Sequence, residues 1–295
     1  MPGLGIEGVY AAAITPRRQG TGAVDLGAML EVIDFLCAAG VHGIALFGST
    51  GEFPHFTLEE RQKLIHLAVR RSRVPVIVNV SHTTLDGAVE LANAAAYDGA
   101  KAVVLMPPYY FRYNQPEVRA FFEAFARETN GRLPRLLYNI PVFTSPIAAD
   151  TARALVESGL YQGIKDSSGD LDYFRHLCGT CLVGNDAVFS QLRGEGATGV
   201  VSGVAAAVPE LLLALDRAAC QGDTARRARL DRRMSEFLAW LEQFPTPVGV
   251  KEAAALRKLK PGPHALPLPP DTETKLAQFR EWFRAWLPEV RKDAA

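Results

Sequence analysis

A lysine follows Gly163-Ile164 in a short apolar segment that runs on into Asp166-Ser167-Ser168-Gly169-Asp170. In a buried-type strand a lysine is costly unless it is paired or deprotonated. Burial favours the neutral amine, and a neutral amine attacks carbonyls. Lys165 is therefore a candidate nucleophile for imine formation. From spacing alone, a structural ion pair with Asp166, Asp170 or Asp186 accounts for it equally well. A second candidate is Tyr138, in Tyr138-Asn139-Ile140-Pro141. Its hydroxyl can shuttle protons if a partner orients it; a rim aromatic with a satisfied hydroxyl is the commoner fate of a tyrosine. Gly48-Ser49-Thr50-Gly51 offers hydroxyls and backbone N–H groups on a tight turn, which suits a carboxylate. It also reads as an ordinary strand-to-helix turn.

These groups need a scaffold that brings them together. Eight short apolar or β-branched runs read as strands: Val9–Thr15, Gly43–Phe47, Val74–Val80, Ala102–Met106, Leu136–Ile140, Gly163–Lys165, Leu182–Gly184 and Gly199–Ser202. Helical patterns lie between them, among them Asp25–Ala39, Leu58–Arg71, Thr84–Tyr97 and Glu117–Thr129. Thr57 with Glu60 reads as a capping box, and Gly40, Gly99, Gly159 and Gly222 punctuate helix ends. Alternating strands and helices imply parallel strands with right-handed crossovers, and eight repeats favour a closed α/β (β/α)8 barrel. No GxGxxG follows the first strand, which weakens a dinucleotide-binding reading. After residue 222 the strand signal stops. Helical patterns at Thr224–Gln243, Val248–Leu259 and Thr272–Trp286, with a Pro-rich connector at Pro261–Pro270, indicate a helical appendage. The expected organisation is a barrel over 1–222 and a C-terminal helical region over 223–295. In such barrels the active site lies at the C-terminal strand ends, where Ser49, Thr50, Tyr110, Tyr138, Lys165, Ser167, Gly184 and Val201 all fall.

Composition narrows the function. The 295 residues carry 32 Lys plus Arg and 32 Asp plus Glu, without the basic excess of a nucleic-acid binder. The cationic stretch from Arg226 to Arg233 fits a solvated helix face. No run of 18 apolar residues suggests a membrane span, and Met1–Gly5 lacks a signal-peptide pattern, so a cytoplasmic location is expected. Four cysteines are too few for a disulfide scaffold, and the single Cys178-Gly-Thr-Cys181 lacks the second ligand pair of a zinc site. His55 and His82 lie on loops at the catalytic end; His42, His66 and His176 read as surface or packing residues, and His264 lies in the Pro-rich connector.

In combination the segments are more specific than any one alone. Gly48-Ser-Thr-Gly-Glu52, Tyr138-Asn-Ile-Pro141 and Gly163-Ile-Lys-Asp-Ser-Ser-Gly-Asp170 resemble the dihydrodipicolinate synthase / N-acetylneuraminate lyase superfamily. The likeness extends through Gly8, Thr15-Pro16, Pro108-Tyr109-Tyr110, Gly184-Asn185-Asp186 and Pro247-Val-Gly-Val-Lys251, nearly the whole chain. The resemblance implies a class I lyase in which Lys165 forms an imine with pyruvate or another 2-oxo acid, with no metal or other cofactor. It makes Tyr138 the proton relay, Thr50 the partner of that tyrosine, and Ser49 its neighbour at the substrate carboxylate. Tyr110 matches a tyrosine lent across a dimer interface, in a homotetramer built as a dimer of dimers. Gly184 and Val201 match positions lining the pyruvate pocket. The implied partners are a small 2-oxo acid and an aldehyde.

One position departs from the synthase pattern. Synthases carry Arg two residues after the Pro of Tyr-Asn-x-Pro, where this chain has Phe143, which makes no bidentate carboxylate contact. Arg112 is a basic residue placed to substitute. Ser167 offers a hydroxyl two residues after the lysine. Gly-Ser-Thr-Gly-Glu-Phe-Pro and Lys-Asp-Ser-Ser-Gly-Asp look most like aldolases of 4-hydroxy-2-oxoglutarate or 2-oxo-3-deoxy sugar acids. The expected reaction is retro-aldol cleavage or condensation of a hydroxylated 2-oxo acid. Condensation of pyruvate with aspartate semialdehyde is the alternative. Further rivals are a degenerate oxo-acid-binding regulator and a phosphate- or flavin-binding barrel using Gly199–Gly203; Lys165, Tyr138 and Thr50 together favour the enzyme.

Overall fold

A computed structural model describes residues 4–129, 131 and 133–295; Met1 to Gly3, part of the segment on which the signal-peptide expectation rested, lie outside the described residues. Eight parallel strands close on themselves in sequence order. They are β1 Gly8–Ala12, β2 Gly43–Leu46, β3 Val76–Asn79, β4 Ala102–Leu105, β5 Arg135–Asn139, β6 Gly163–Asp166, β7 Thr180–Val183 and β8 Gly199–Ser202. Helices cover the barrel: α1 Leu26–Ala39, α2 Leu58–Arg71, α3 Leu85–Asp98, α4 Gln115–Thr129, α5 Ala149–Glu157, α6 Leu171–Arg175, α7 Phe189–Gly194 and α8 Pro209–Gln221. The expected barrel is present. Its strands are apolar throughout because side chains meet the barrel interior on one face and helices on the other.

Most expected strands are trimmed by a residue or more at one or both ends, and β7 starts two residues earlier than its apolar run. Apolar pattern extends into loops that are buried but not paired, such as Ala13 and Ile14 after β1. The capping box of α2 is formed by Thr57 and Glu60, with Glu59 and Glu60 in its first turn and Arg70 and Arg71 in its last, matching the helix dipole.

Beyond α8 come α9 Thr224–Leu241, α10 Val248–Leu256 and α11 Pro270–Ala294. The last begins before and ends after its expected Thr272–Trp286 range. The three helices share one apolar core with the barrel. Phe237 of α9 packs nearly parallel to both Trp282 and Trp286 of α11, at interplanar angles of 13° and 16°, and the two tryptophans stack on each other. No described helix is long and apolar enough to cross a membrane.

Glu252 of α10 ties this region together, 2.7 Å from Arg280 of α11 and 3.2 Å from His264 of the connector. Burial opposes its charge, but hydrogen bonds and charges from His264 and Arg280 prevail and bring its pKa from 4.5 to about 2. The stabilisation is therefore complete above the unfolded value and disappears as pH falls from 4.5 through about 2. Glu252→Gln is expected to unfold at lower urea than the parent at pH 7. Its stability should also decline less steeply than the parent's between pH 4.5 and 2, as read from urea midpoints across that range.

Candidate active site

Parallel register brings the first two candidates side by side. Tyr138 on β5 and Lys165 on β6 are direct partners across the ladder, so their side chains leave the sheet on the same face at the same level. The Lys165 ammonium sits 3.9 Å from the centre of the Tyr138 ring. Both residues are buried, at 5% and 2% exposure.

The ion-pair explanation for Lys165 does not hold among the described residues. Asp166 instead accepts from Asn139 Nδ2 at 2.7 Å and from Ser168 Oγ at 2.7 Å. Asp170 caps α6 through the N–H groups of Asp172 and Tyr173. Asp186 accepts from Val204 N–H through Oδ2 and is held as well by the Ser202 hydroxyl and the Gly203 N–H. Burial raises the pKa of both Asp166 and Asp186, which weakens each as a counter-ion. Lys165 is left with aromatic and hydroxyl neighbours.

Ser49, Lys165 and Ser167 converge on the Tyr138 hydroxyl as hydrogen-bond partners. Burial by itself would raise the phenol pKa, yet the lysine charge and these hydrogen bonds bring it below its usual value of 10.0. A phenol of this kind exchanges protons more readily near neutral pH. Here the structure corrects one expectation: the hydroxyl on Tyr138 belongs to Ser49. Thr50 points across the barrel mouth toward β8, where a methyl on Gly203 would lie 3.0 Å from its Oγ1. On a tight turn, successive side chains diverge, so only one of the two reaches the tyrosine.

Gly184, at the end of β7, leaves room for the lysine. A Cβ there would fall 2.0 Å from Ser167 Oγ and 3.0 Å from Lys165 Cε. Val201 of β8 also lines the pocket. These residues surround a cavity of 510 Å³ whose polar side carries Ser49, Thr50, Ser167, Asn185 and Asp186. Its outer wall was not foreseen. Leu238, Leu241, Phe244 and Val250 come from the C-terminal helices and their connection, and helical periodicity marks such residues as apolar without saying what they cover.

The remaining candidates lie at the rim. Phe143 is 53% exposed and borders both this cavity and an adjoining 380 Å³ pocket lined by Phe53, Met106, Tyr109 and Tyr110. Tyr110 is 87% exposed in a left-handed conformation, its ring edge-on to Phe111. Arg112 donates to the Thr144 carbonyl and lines neither pocket. His55 binds Arg17 at 2.8 Å, and His82 bonds Thr84 at 2.9 Å; neither enters the lysine cavity.

Comparison with known proteins agrees with this geometry. The model of the dihydrodipicolinate synthetase family matches residues 5–285. The 4-hydroxy-tetrahydrodipicolinate synthase of Methanothrix thermoacetophila is 30% identical over 284 residues, covering 93% of this chain and 95% of that protein. The solved structure of the corresponding synthase from Methylacidiphilum fumariolicum SolV superposes with a TM-score of 0.89 at 30% identity, over 98% of this chain and all of that one. YagE, a prophage protein of the dihydrodipicolinic acid synthase family from E. coli K12 solved in complex with pyruvate, gives a TM-score of 0.86 at 26% identity, over 95% and 98% of the two chains.

The tyrosine's environment is directly measurable. Ultraviolet-difference titration should reveal one tyrosine ionising below the ordinary value of 10.0. Lys165→Met removes the charge that favours the phenolate, so that early component should move upward; an unchanged titration would mean the lysine does not act on Tyr138.

Proposed function

The chain belongs to the dihydrodipicolinate synthetase family of pyruvate-dependent class I aldolases, and we propose that it cleaves or forms a hydroxylated 2-oxo acid through an imine on Lys165. The observation that carries this reading is a buried lysine with no carboxylate partner among the described residues, held against a tyrosine of lowered pKa in an accessible cavity.

In the proposed sequence the neutral Lys165 amine adds to the C2 carbonyl, and the carbinolamine loses water as Tyr138 gives up its proton, which leaves the imine protonated and the tyrosine as phenolate. The Gly48–Gly51 turn, with the Ser49 and Thr50 hydroxyls, receives the substrate carboxylate. Tyr138 takes the proton of the C4 hydroxyl as the C3–C4 bond breaks, and the bond's electrons pass to the imine as an enamine. The aldehyde leaves, the enamine is reprotonated at C3, and hydrolysis frees pyruvate and the lysine. Condensation is the reverse. The imine is the only electron sink required, so no cofactor takes part.

The choice of a hydroxylated substrate is supported by the polar wall. Ser167 and Asn185 line the cavity with groups that can pair with substrate hydroxyls. The names of the relatives favour a second reading, condensation of pyruvate with aspartate semialdehyde to 4-hydroxy-tetrahydrodipicolinate. Phe143, where that reaction's pattern has arginine, argues against it. We place Tyr110, with exposed Phe111 and Val142, at a contact with a second copy in a homotetramer.

Pyruvate and borohydride should leave a reduced pyruvate-sized adduct on the wild type and none on Lys165→Ala, by intact mass. Absence of the adduct from both would refute the imine. Kinetics with 4-hydroxy-2-oxoglutarate, 2-oxo-3-deoxy sugar acids and aspartate semialdehyde then separate the two reactions; efficient use of the semialdehyde alone would establish the synthase. Phe143→Arg should improve use of the semialdehyde by about tenfold, the worth of one charge-assisted contact.

A further inference from the structure

Two residues of the segments that carried the family resemblance, Glu52 and Lys251, have no part in the chemistry above, yet they meet. Lys251 Nζ lies 3.0 Å from Glu52 Oε2, with the two side chains only 1% and 5% exposed. Lys251 also donates to the Pro263 carbonyl at 3.1 Å, and Arg17 Nε approaches the same carboxylate oxygen at 3.6 Å. The connector closes around this group, its Pro261 carbonyl accepting from Arg17 N–H at 3.0 Å.

A buried ion pair is a poor source of net stability, because desolvating both charges offsets their attraction. Burial indeed lowers the Lys251 pKa against the opposing pull of Glu52. What the pair does is visible in the backbone. Phe47 and Glu52 are both left-handed, with φ of 59° and 52°, and the Gly48–Gly51 turn hangs between them. Side-chain-bearing residues hold such a conformation only where their surroundings over-determine it.

Phe47 is fixed by Asn79, which donates to its carbonyl at 2.6 Å, and by Arg61 over its ring. Glu52 is fixed by its carboxylate. Between them, Gly51 N–H bonds Gly48 O, Glu52 N–H bonds Ser49 O, and Thr15 Oγ1 donates to Gly51 O at 2.8 Å. No room remains to loosen the turn inward, since a Cβ on Gly51 would meet Ala13 O and Phe47 Cα at 3.1 Å. The side chain that this turn delivers to Tyr138 is Ser49.

We propose that Lys251 and Glu52 are positioning residues, a buried clamp by which the C-terminal region sets the Ser49 hydroxyl against Tyr138. The assignment rests on the reading of Lys165 and Tyr138 as the imine-forming pair. Severing the clamp releases Glu52 from its left-handed conformation, lets Ser49 withdraw, and leaves Tyr138 short of one hydrogen bond.

The test is a double-mutant cycle read by rapid mixing with pyruvate and quenching into borohydride, with circular dichroism to establish folding. The proteins are wild type, Ser49→Ala, Lys251→Met and the double variant. Arg233→Gln serves as control, breaking a different C-terminal pair, that with Asp293 at 2.8 Å. Lys251→Met should slow adduct formation by about ten- to a hundredfold, the usual effect of misplacing a group near the chemistry. Arg233→Gln should leave the rate unchanged, and the double variant should fall no further than the slower single, because both changes remove one contact. A folded Lys251→Met that traps pyruvate at the wild-type rate, or losses that multiply, would overturn the clamp. Lys251→Arg, which keeps a cation on Glu52, covers a Lys251→Met that does not fold. Recovery to near the wild-type rate is expected, and a folded Lys251→Arg no faster than Ser49→Ala overturns the assignment. If the wild type itself forms no adduct, it is the imine reading that fails.

Discussion

An amine held in a barrel mouth with no ion pair among the described residues is the constraint around which this protein is arranged. Lys165 has a tyrosine face and hydroxyl groups for company, and the nearest carboxylates are either occupied or disfavoured as anions. Had Asp166 turned to the lysine, the ion pair would have stabilised the ammonium and removed the nucleophile. Asn139 prevents this. Its amide donates to Asp166 while its carbonyl accepts from Ile147 N–H, so the aspartate is bound into the wall behind the site.

The same arrangement sets the tyrosine. Ammonium and phenol share one desolvated space, where a charge acts more strongly than it would in water. The lysine charge therefore favours the phenolate of Tyr138. The ladder partnership of Tyr138 and Lys165 makes this a property of the barrel itself, since neither residue can shift along its strand without breaking register. Ser49 and Ser167 add their hydrogen bonds from loops. Strands fix the reacting pair and loops tune it.

How much of this was legible in the sequence follows from the range of the interactions. Strands and helices rest on local periodicity, and all eight strands were placed; only their ends moved, because buried loop residues such as Ile14 look like strand. Lys165 and Tyr138 stood out because a polar group in an apolar run is a local anomaly. The choice between Ser49 and Thr50 was not local. Two adjacent hydroxyls on a turn differ only in direction, and that direction depends on left-handed residues at both ends of the turn. Least visible was the outer wall of the cavity. The pair Lys251 and Glu52 is separated by 199 positions, and nothing in the pattern around either residue points to the other.

That wall alters the electrostatic argument as well as the shape. A barrel mouth open to water would screen the lysine and hydrate the phenol, and the depressed tyrosine pKa would relax toward that of a free side chain. Leu238, Leu241, Phe244 and Val250 add apolar surface to a cavity that Ser49, Thr50, Ser167, Asn185 and Asp186 also line. The helices beyond the barrel thus serve the site in two ways, by completing its wall and by anchoring the turn that carries Ser49. Both depend on the same packing of α9, α10 and α11 against the catalytic end.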